Sequence, residues 1–178
     1  MDTFKSIILI FLCIAPHGIK ATEYAVESPD GKVKIMFTAE VFEGQEMANR
    51  TNIPFYQVFN EGKAFIQPSR MGITLDGIPS LTAHLSVTNI NIREHRNMWK
   101  PVYGEKEIYP DNYNELIIDL QEVIPPERKL RIVFRAYNEG IAFRYEIPSQ
   151  PGLHQFRVLE ENTEYTFDEG TYVWEEHG

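Results

Sequence analysis

The chain has 178 residues, 17 of them basic and 26 acidic, a formal net charge of −9 and a single cysteine. That length suffices for one domain with its own core. The acidic balance excludes nucleic acid and anionic membrane as partners, because each phosphate contact needs a Lys or Arg, and it suits neutral sugars and divalent cations.

The predicted elements begin after a leader. Lys5 precedes the apolar run Ser6–Ala15, which has the length of a signal-peptide core and is too short to span a bilayer. Residues 1–21 are therefore expected to be a signal peptide cleaved after Ala21, with Gly18 the alternative, and residues 22–178 a periplasmic or secreted domain. Cys13 leaves with the leader, so the mature chain has no thiol to cross-link and relies on core burial. Losing Lys5, Lys20 and Asp2 leaves 15 basic and 25 acidic residues, a net charge of −10. Asn49-Arg50-Thr51 matches a glycosylation sequon, which would mean nothing in a bacterial protein, and is taken as chance.

Glu27–Gly31 is a turn cluster. Lys32–Phe42 predicts a strand, with Val33, Ile35, Phe37, Ala39 and Val41 recurring at period two. Glu43–Asn52 reads as a loop. Ile53–Asn60 is a second strand and the natural antiparallel neighbour of the first. Glu61-Gly62 turns into a third strand, Lys63–Gln67. Pro68-Ser69-Arg70 is expected to break the sheet before Met71–Leu75, and Asp76-Gly77 turns again. Leu85–Arg93 is expected to set Leu85, Val87, Asn89, Asn91 and Arg93 on one face and Ser86, Thr88, Ile90 and Ile92 on the other. Trp99–Glu105 is not a clean strand. Tyr113–Val123 is one, ended by Pro125-Pro126.

Arg128–Pro148 carries the strongest pattern in the chain and reads as a β-hairpin. Leu130, Ile132, Phe134 and Ala136 share one face of the first arm, and Lys129, Arg131, Arg135 and Tyr137 the other, with Val133 the apolar exception. Ile141, Phe143, Tyr145 and Ile147 alternate with Ala142, Arg144 and Glu146 in the second arm. Asn138-Glu139-Gly140 is the turn, with Gly140 expected to take a positive φ. Gln155–Leu159 and Glu164–Phe167 read as short closing strands. No stretch keeps helical apolar spacing over three turns. Ten to twelve short strands between Gly, Pro, Asn and Asp predict an all-β, antiparallel two-sheet sandwich larger than an immunoglobulin domain.

Few residues suggest chemistry of their own. His84, His95, His154 and His177 stand apart, without metal-site spacing. There is no nucleophile elbow and no phosphate-binding glycine loop. Glu160, Glu161 and Glu164 cluster, and carboxylates of this kind can supply one or two oxygens to a hard cation, or form a solvated acidic loop. Trp99, Tyr103, Tyr109 and Tyr113 are interleaved with polar residues and offer either core packing or a stacking surface for sugar rings.

Five segments in order carry a resemblance: Pro68–Gly72, Trp99–Glu105, Tyr113–Leu116, Phe134–Tyr145 and Thr163–Tyr165. Together they resemble the N-terminal domain of glycoside hydrolase family 97, the α-glucosidase and α-galactosidase group typical of gut Bacteroidetes. The resemblance covers Glu23 to the C-terminus. It implies a sandwich of the galactose-mutarotase-like (supersandwich) type. In the family that domain precedes a (β/α)₈ catalytic barrel and lends a glutamate to an active-site calcium, Ca2+. The glutamate implied here is Glu164, with Glu161 the alternative. Trp99, Tyr103, Glu105 and Arg144 are expected to bind carbohydrate, an α-linked oligosaccharide or polysaccharide. The family's catalytic carboxylates lie in the barrel, so no residue of this chain is expected to be catalytic, and the chain is expected to be a part without its barrel. A stand-alone secreted carbohydrate-binding module is the other reading.

Overall fold

The computed structural model describes residues 22–42, 51–105 and 107–175. The leader reading for residues 1–21 lies outside them, as do the sequon residues Asn49 and Arg50. Among the described residues there are ten strands and no helix. β1 (Glu23–Glu27), β2 (Val33–Phe42), β3 (Thr51–Asn60) and β4 (Lys63–Arg70) form one antiparallel sheet in chain order. β6 (Leu85–Trp99), β7 (Tyr109–Glu122), β8 (Lys129–Tyr137) and β9 (Gly140–Glu146) form a second. β5 (Ile73–Leu75) pairs with β10 (Val158–Glu161) as a small third sheet. The expected all-β sandwich is what forms.

The inward residues of the two large sheets make one core. Ile35, Phe37, Tyr56 and Val58 meet Leu116, Ile118, Leu130, Ile132 and Phe134, all buried. The Phe134 ring lies 6.1 Å from Phe37 and 6.2 Å from Tyr56, joining the sheets. The outer face of β7–β9 is a charge lattice. Arg131 Nε donates to Asp119 Oδ1 at 2.6 Å, Arg135 Nε to Glu115 Oε2 at 2.9 Å and Arg144 Nε to Glu146 Oε1 at 2.7 Å. Val133 points into this lattice yet is 1% exposed. Its cross-strand neighbours are Ile117 and Arg144, and long arginine stems cover apolar surface.

Four expectations are corrected. Pro68 does not break the sheet, because β4 runs on to Arg70. β4 is an edge strand whose register slips against β3, the setting in which proline is tolerated. In β6 the pairing shifts between Val87 and Asn89. That bulge flips the alternation, so Leu85 and Val87 are followed inward by Ile90, and the predicted faces of Ile90 and Asn89 exchange. Gly140 takes no positive φ. It opens β9 opposite Tyr137, and Asn138-Glu139 alone makes the turn. The closing strand predicted at Glu164–Phe167 is a single bridge, Gln67 to Thr166.

The segment from Val158 to Asp168 positions the site. It runs antiparallel along the outer edge of β5 and β4. Glu161 pairs with Ile73, Asn162 N donates to Gly72 O at 2.9 Å, Glu164 N to Arg70 O at 2.9 Å, and Gln67 N to Thr166 O at 2.8 Å. Thr74 Oγ1 donates to Asn162 Oδ1 at 2.7 Å. Gly72 is needed where Leu81 and Thr82 cross it, since a Cβ there would lie 2.7 Å from Leu81 O.

Candidate functional site

Between β9 and this segment lies an open groove of about 540 Å³. Phe143, Tyr145, Phe156 and Tyr165 make its aromatic walls, with Ile73, Ile147 and Val158 between them. Two charged residues border it, Glu161 and Arg144, the latter with its side chain turned to the outer face and paired with Glu146. An apolar concavity with a few fixed polar groups is the usual form of a small-molecule site.

Glu161 sits at the end of a hydrogen-bond chain. Gly72 N donates to the Tyr145 hydroxyl at 3.0 Å, Tyr145 Oη and Thr163 Oγ1 are 2.7 Å apart, and Thr163 Oγ1 donates to Glu161 Oε1 at 2.9 Å. Glu164 is held differently. Its Oε2 accepts from Arg70 N at 3.1 Å, and its carbonyl accepts from the Tyr56 hydroxyl at 2.9 Å. Sequence reasoning put Glu164 first, but it is Glu161 that lines the groove.

Burial pushes the Tyr145 hydroxyl up to about 12, with the Thr163 and Gly72 hydrogen bonds opposing and Glu161 adding to the rise. Burial also raises Tyr56, aided by Tyr165, Tyr145 and Glu161, and raises Tyr165. A free phenol titrates near 10. The fold therefore favours the protonated phenols. Their contribution is complete below pH ~10 and is lost as pH rises through ~12. Tyr145 alone accounts for roughly 2–3 kcal/mol of this. Denaturant midpoints should stay level to about pH 9 and fall steeply above 10, less steeply in Tyr145→Phe. An equal slope in both proteins would remove Tyr145 from this account.

The other sequence-predicted residues lie elsewhere. β7 pairs with β8 only from Tyr113 onward, so the ends of β6 and β7 project as a two-stranded ribbon. Trp99 pairs with Tyr109 near its end, with rings 5.9 Å apart. Tyr103 and Glu105 are exposed in the loop beyond, Tyr103 at 91%. Arg144 lies in register with Asn91 across β8 and β7, eight residues from Trp99 along β6. At strand rise that is roughly 27 Å. The four residues therefore do not form one site: Arg144 sits on the strand that borders the groove, with its side chain on the outer face, and the other three join the ribbon. Tyr113 faces neither. It is buried between His95, stacked at 4.6 Å, and the Arg135 guanidinium, 4.3 Å from its ring.

The family model for the glycosyl-hydrolase 97 N-terminal domain matches residues 26–178. The chain belongs to this family. A curated relative, the retaining α-galactosidase of Bacteroides thetaiotaomicron, is 26% identical over 92% of the chain and 22% of its own length. A solved family 97 enzyme from Pseudoalteromonas sp. strain K8, in complex with panose, matches with TM-score 0.71 at 24% identity, over 82% of the chain and 20% of its own. At that identity the likeness establishes the fold. A β-arabinopyranosidase structure matches with TM-score 0.67 and 27% identity, over 82% of the chain and 21% of its own. The family 97 domain described here thus spans about a fifth of the length of these relatives.

Sequence reasoning missed Tyr145 and Thr163 as partners of Glu161. Thr163 was inside a recognised motif and Tyr145 in the clearest strand. Nothing local links them, because the link depends on a turn of chain returning past Gly72.

Proposed function

We propose that this domain completes the active site of a calcium-dependent α-glycosidase whose catalytic (β/α)₈ domain supplies the general acid and its partner carboxylate. The observation that carries this reading is one carboxylate, Glu161, held by a hydrogen-bond chain in an aromatic groove. Carboxylate oxygens are the right kind of ligand for calcium, which takes six to eight. Among the described residues no three acidic or imidazole groups converge. The donors fit part of a calcium shell, with Glu161 and Glu164 the candidates. Calcium in the complete site would balance acidic charge and orient an α-linked oligosaccharide, while this chain's aromatic walls would hold the sugar. Export to the periplasm or beyond, through the predicted leader, belongs to the same reading.

An incomplete shell predicts weak binding by this chain, no tighter than ~10⁻⁴–10⁻³ M. The test is a titration of the isotopically labelled chain with CaCl2 and then with maltotriose, followed by NMR. Shifts should concentrate at Glu161, Glu164, Tyr145 and Tyr165, and Glu161→Gln should remove the calcium response. Micromolar calcium binding would refute the partial shell. A second reading, a stand-alone sugar-binding module, draws on the exposed rings of Trp99 and Tyr103, 58% and 91% exposed. Maltotriose shifts confined to those two residues would favour it over the groove.

A further inference from the structure

We infer that Tyr145 and Thr163 are positioning residues, forming a one-way hydrogen-bond chain that fixes the Glu161 carboxylate in the groove. The direction follows from donor counting. An ionised carboxylate only accepts, so the single Thr163 hydroxyl proton goes to Glu161 Oε1, 2.9 Å away. Thr163 Oγ1 must then accept at its 2.7 Å contact with Tyr145, which makes Tyr145 the donor. The Tyr145 oxygen in turn accepts from Gly72 N at 3.0 Å. Every proton in the series points toward Glu161, and the series starts on a backbone amide that cannot rotate.

The three anchors come from separate parts of the fold. Gly72 lies between β4 and β5, Tyr145 on β9, and Thr163 beyond β10. Gly72 is itself locked by the crossing of Leu81 and Thr82. The chain therefore ties the edge of the second large sheet to the returning segment at the point where Glu161 emerges. Among the described residues no hydrogen bond reaches Glu161 Oε2, and that oxygen is left to face a ligand. Glu164 has no such side-chain support, since the donor to its carboxylate is the Arg70 backbone amide. The consequence for calcium rests on the role proposed above for Glu161, whereas the positioning itself does not.

The test uses the full chain, labelled with ¹³C and ¹⁵N. Three-bond couplings read the Glu161 side-chain rotamer, and a CaCl2 titration followed at its carboxyl carbon reads affinity. Glu161 should occupy one rotamer in the parent chain and in Thr163→Ser, which keeps the hydroxyl. It should average over rotamers in Tyr145→Phe and in Thr163→Val. Removing support of this kind typically weakens metal binding ~10-fold or more, so the calcium Kd should rise by that factor in the Phe and Val variants and stay level in Ser. Tyr145→Phe removes one oxygen and keeps the ring, and it carries the test if Thr163→Val does not fold. A single Glu161 rotamer in Tyr145→Phe, with the spectrum otherwise preserved, overturns the inference. So does a Thr163→Ser variant that averages. Rotamer averaging as expected, with no calcium response in the parent chain, supports the positioning and overturns the calcium reading alone.

Discussion

Glu122→Ala is expected to destabilise the domain by about 3–5 kcal/mol, the cost of leaving a buried charge without its partner. Glu122 and Arg128 are 4% and 6% exposed in their side chains. Arg128 Nε donates to Glu122 Oε2 at 2.7 Å and Nη2 to Oε1 at 2.5 Å, a two-pronged pairing. The Arg128 backbone amide adds a third bond to Oε2 at 3.0 Å. Its remaining prong, Nη1, donates to Pro79 O at 2.7 Å, tying the loop after β5 to the β7–β8 connection. With Glu122 truncated, the guanidinium keeps only the carbonyl and stays buried in a poor solvent for charge. Chemical denaturation should show the midpoint falling sharply with little change in slope. The double variant Glu122→Leu, Arg128→Met should regain most of the loss, because an apolar pair of similar size needs no charge partner. A single variant within 1 kcal/mol of the parent would show that water reaches Arg128.

This pair illustrates what the sequence hides. Arg128 opens the segment read as the main hairpin, and nothing in its neighbourhood distinguishes it from Lys129 or Arg131. Burial separates them, and burial depends on the Pro79 loop arriving from 49 residues away. The strands themselves were legible, because period-two alternation is local chemistry: Leu130, Ile132, Phe134 and Ala136 all point inward as their spacing predicts. β1 was not legible, since five residues beside a turn cluster carry too little pattern. The bulge near Thr88 and the passage of β4 through Pro68 were hidden for the same reason, as both are settled by what pairs alongside. The site divides the same way. Glu161 and Glu164 were singled out as a carboxylate cluster and by motif resemblance, Trp99 and Tyr103 as aromatics among polar residues, and Glu105 and Arg144 within the matching segments. That the row of Arg144 and the ribbon lie roughly 27 Å apart along the strands is a matter of register.

Phe134→Ala should cost about 3–5 kcal/mol, from lost transfer energy and the cavity left behind. Phe134 is fully buried and stands where the two large sheets meet. Its ring lies 6.1 Å from Phe37, 6.2 Å from Tyr56 and 6.1 Å from Phe143. Phe37 and Tyr56 belong to the first sheet and are themselves nearly inaccessible, so neither can swing into the space without leaving another void. Phe143 is different. It is partly buried and forms a wall of the groove, with Tyr145 next to it at 5.9 Å. Relaxation should therefore come from the groove side, with Phe143 sinking inward and drawing on the β9 residues that flank Arg144 and Tyr145. Two readouts follow from one substitution. The denaturation midpoint should fall by the amount a large core ring commands, and NMR shifts should spread to Phe143, Tyr145 and Glu161 but not to Trp99 at the ribbon. Phe134→Leu, which keeps most of the volume, should lose far less stability and leave the groove resonances near their parent positions. A Phe134→Ala domain with its stability lost and its groove resonances unmoved would show that the core and the site are packed independently.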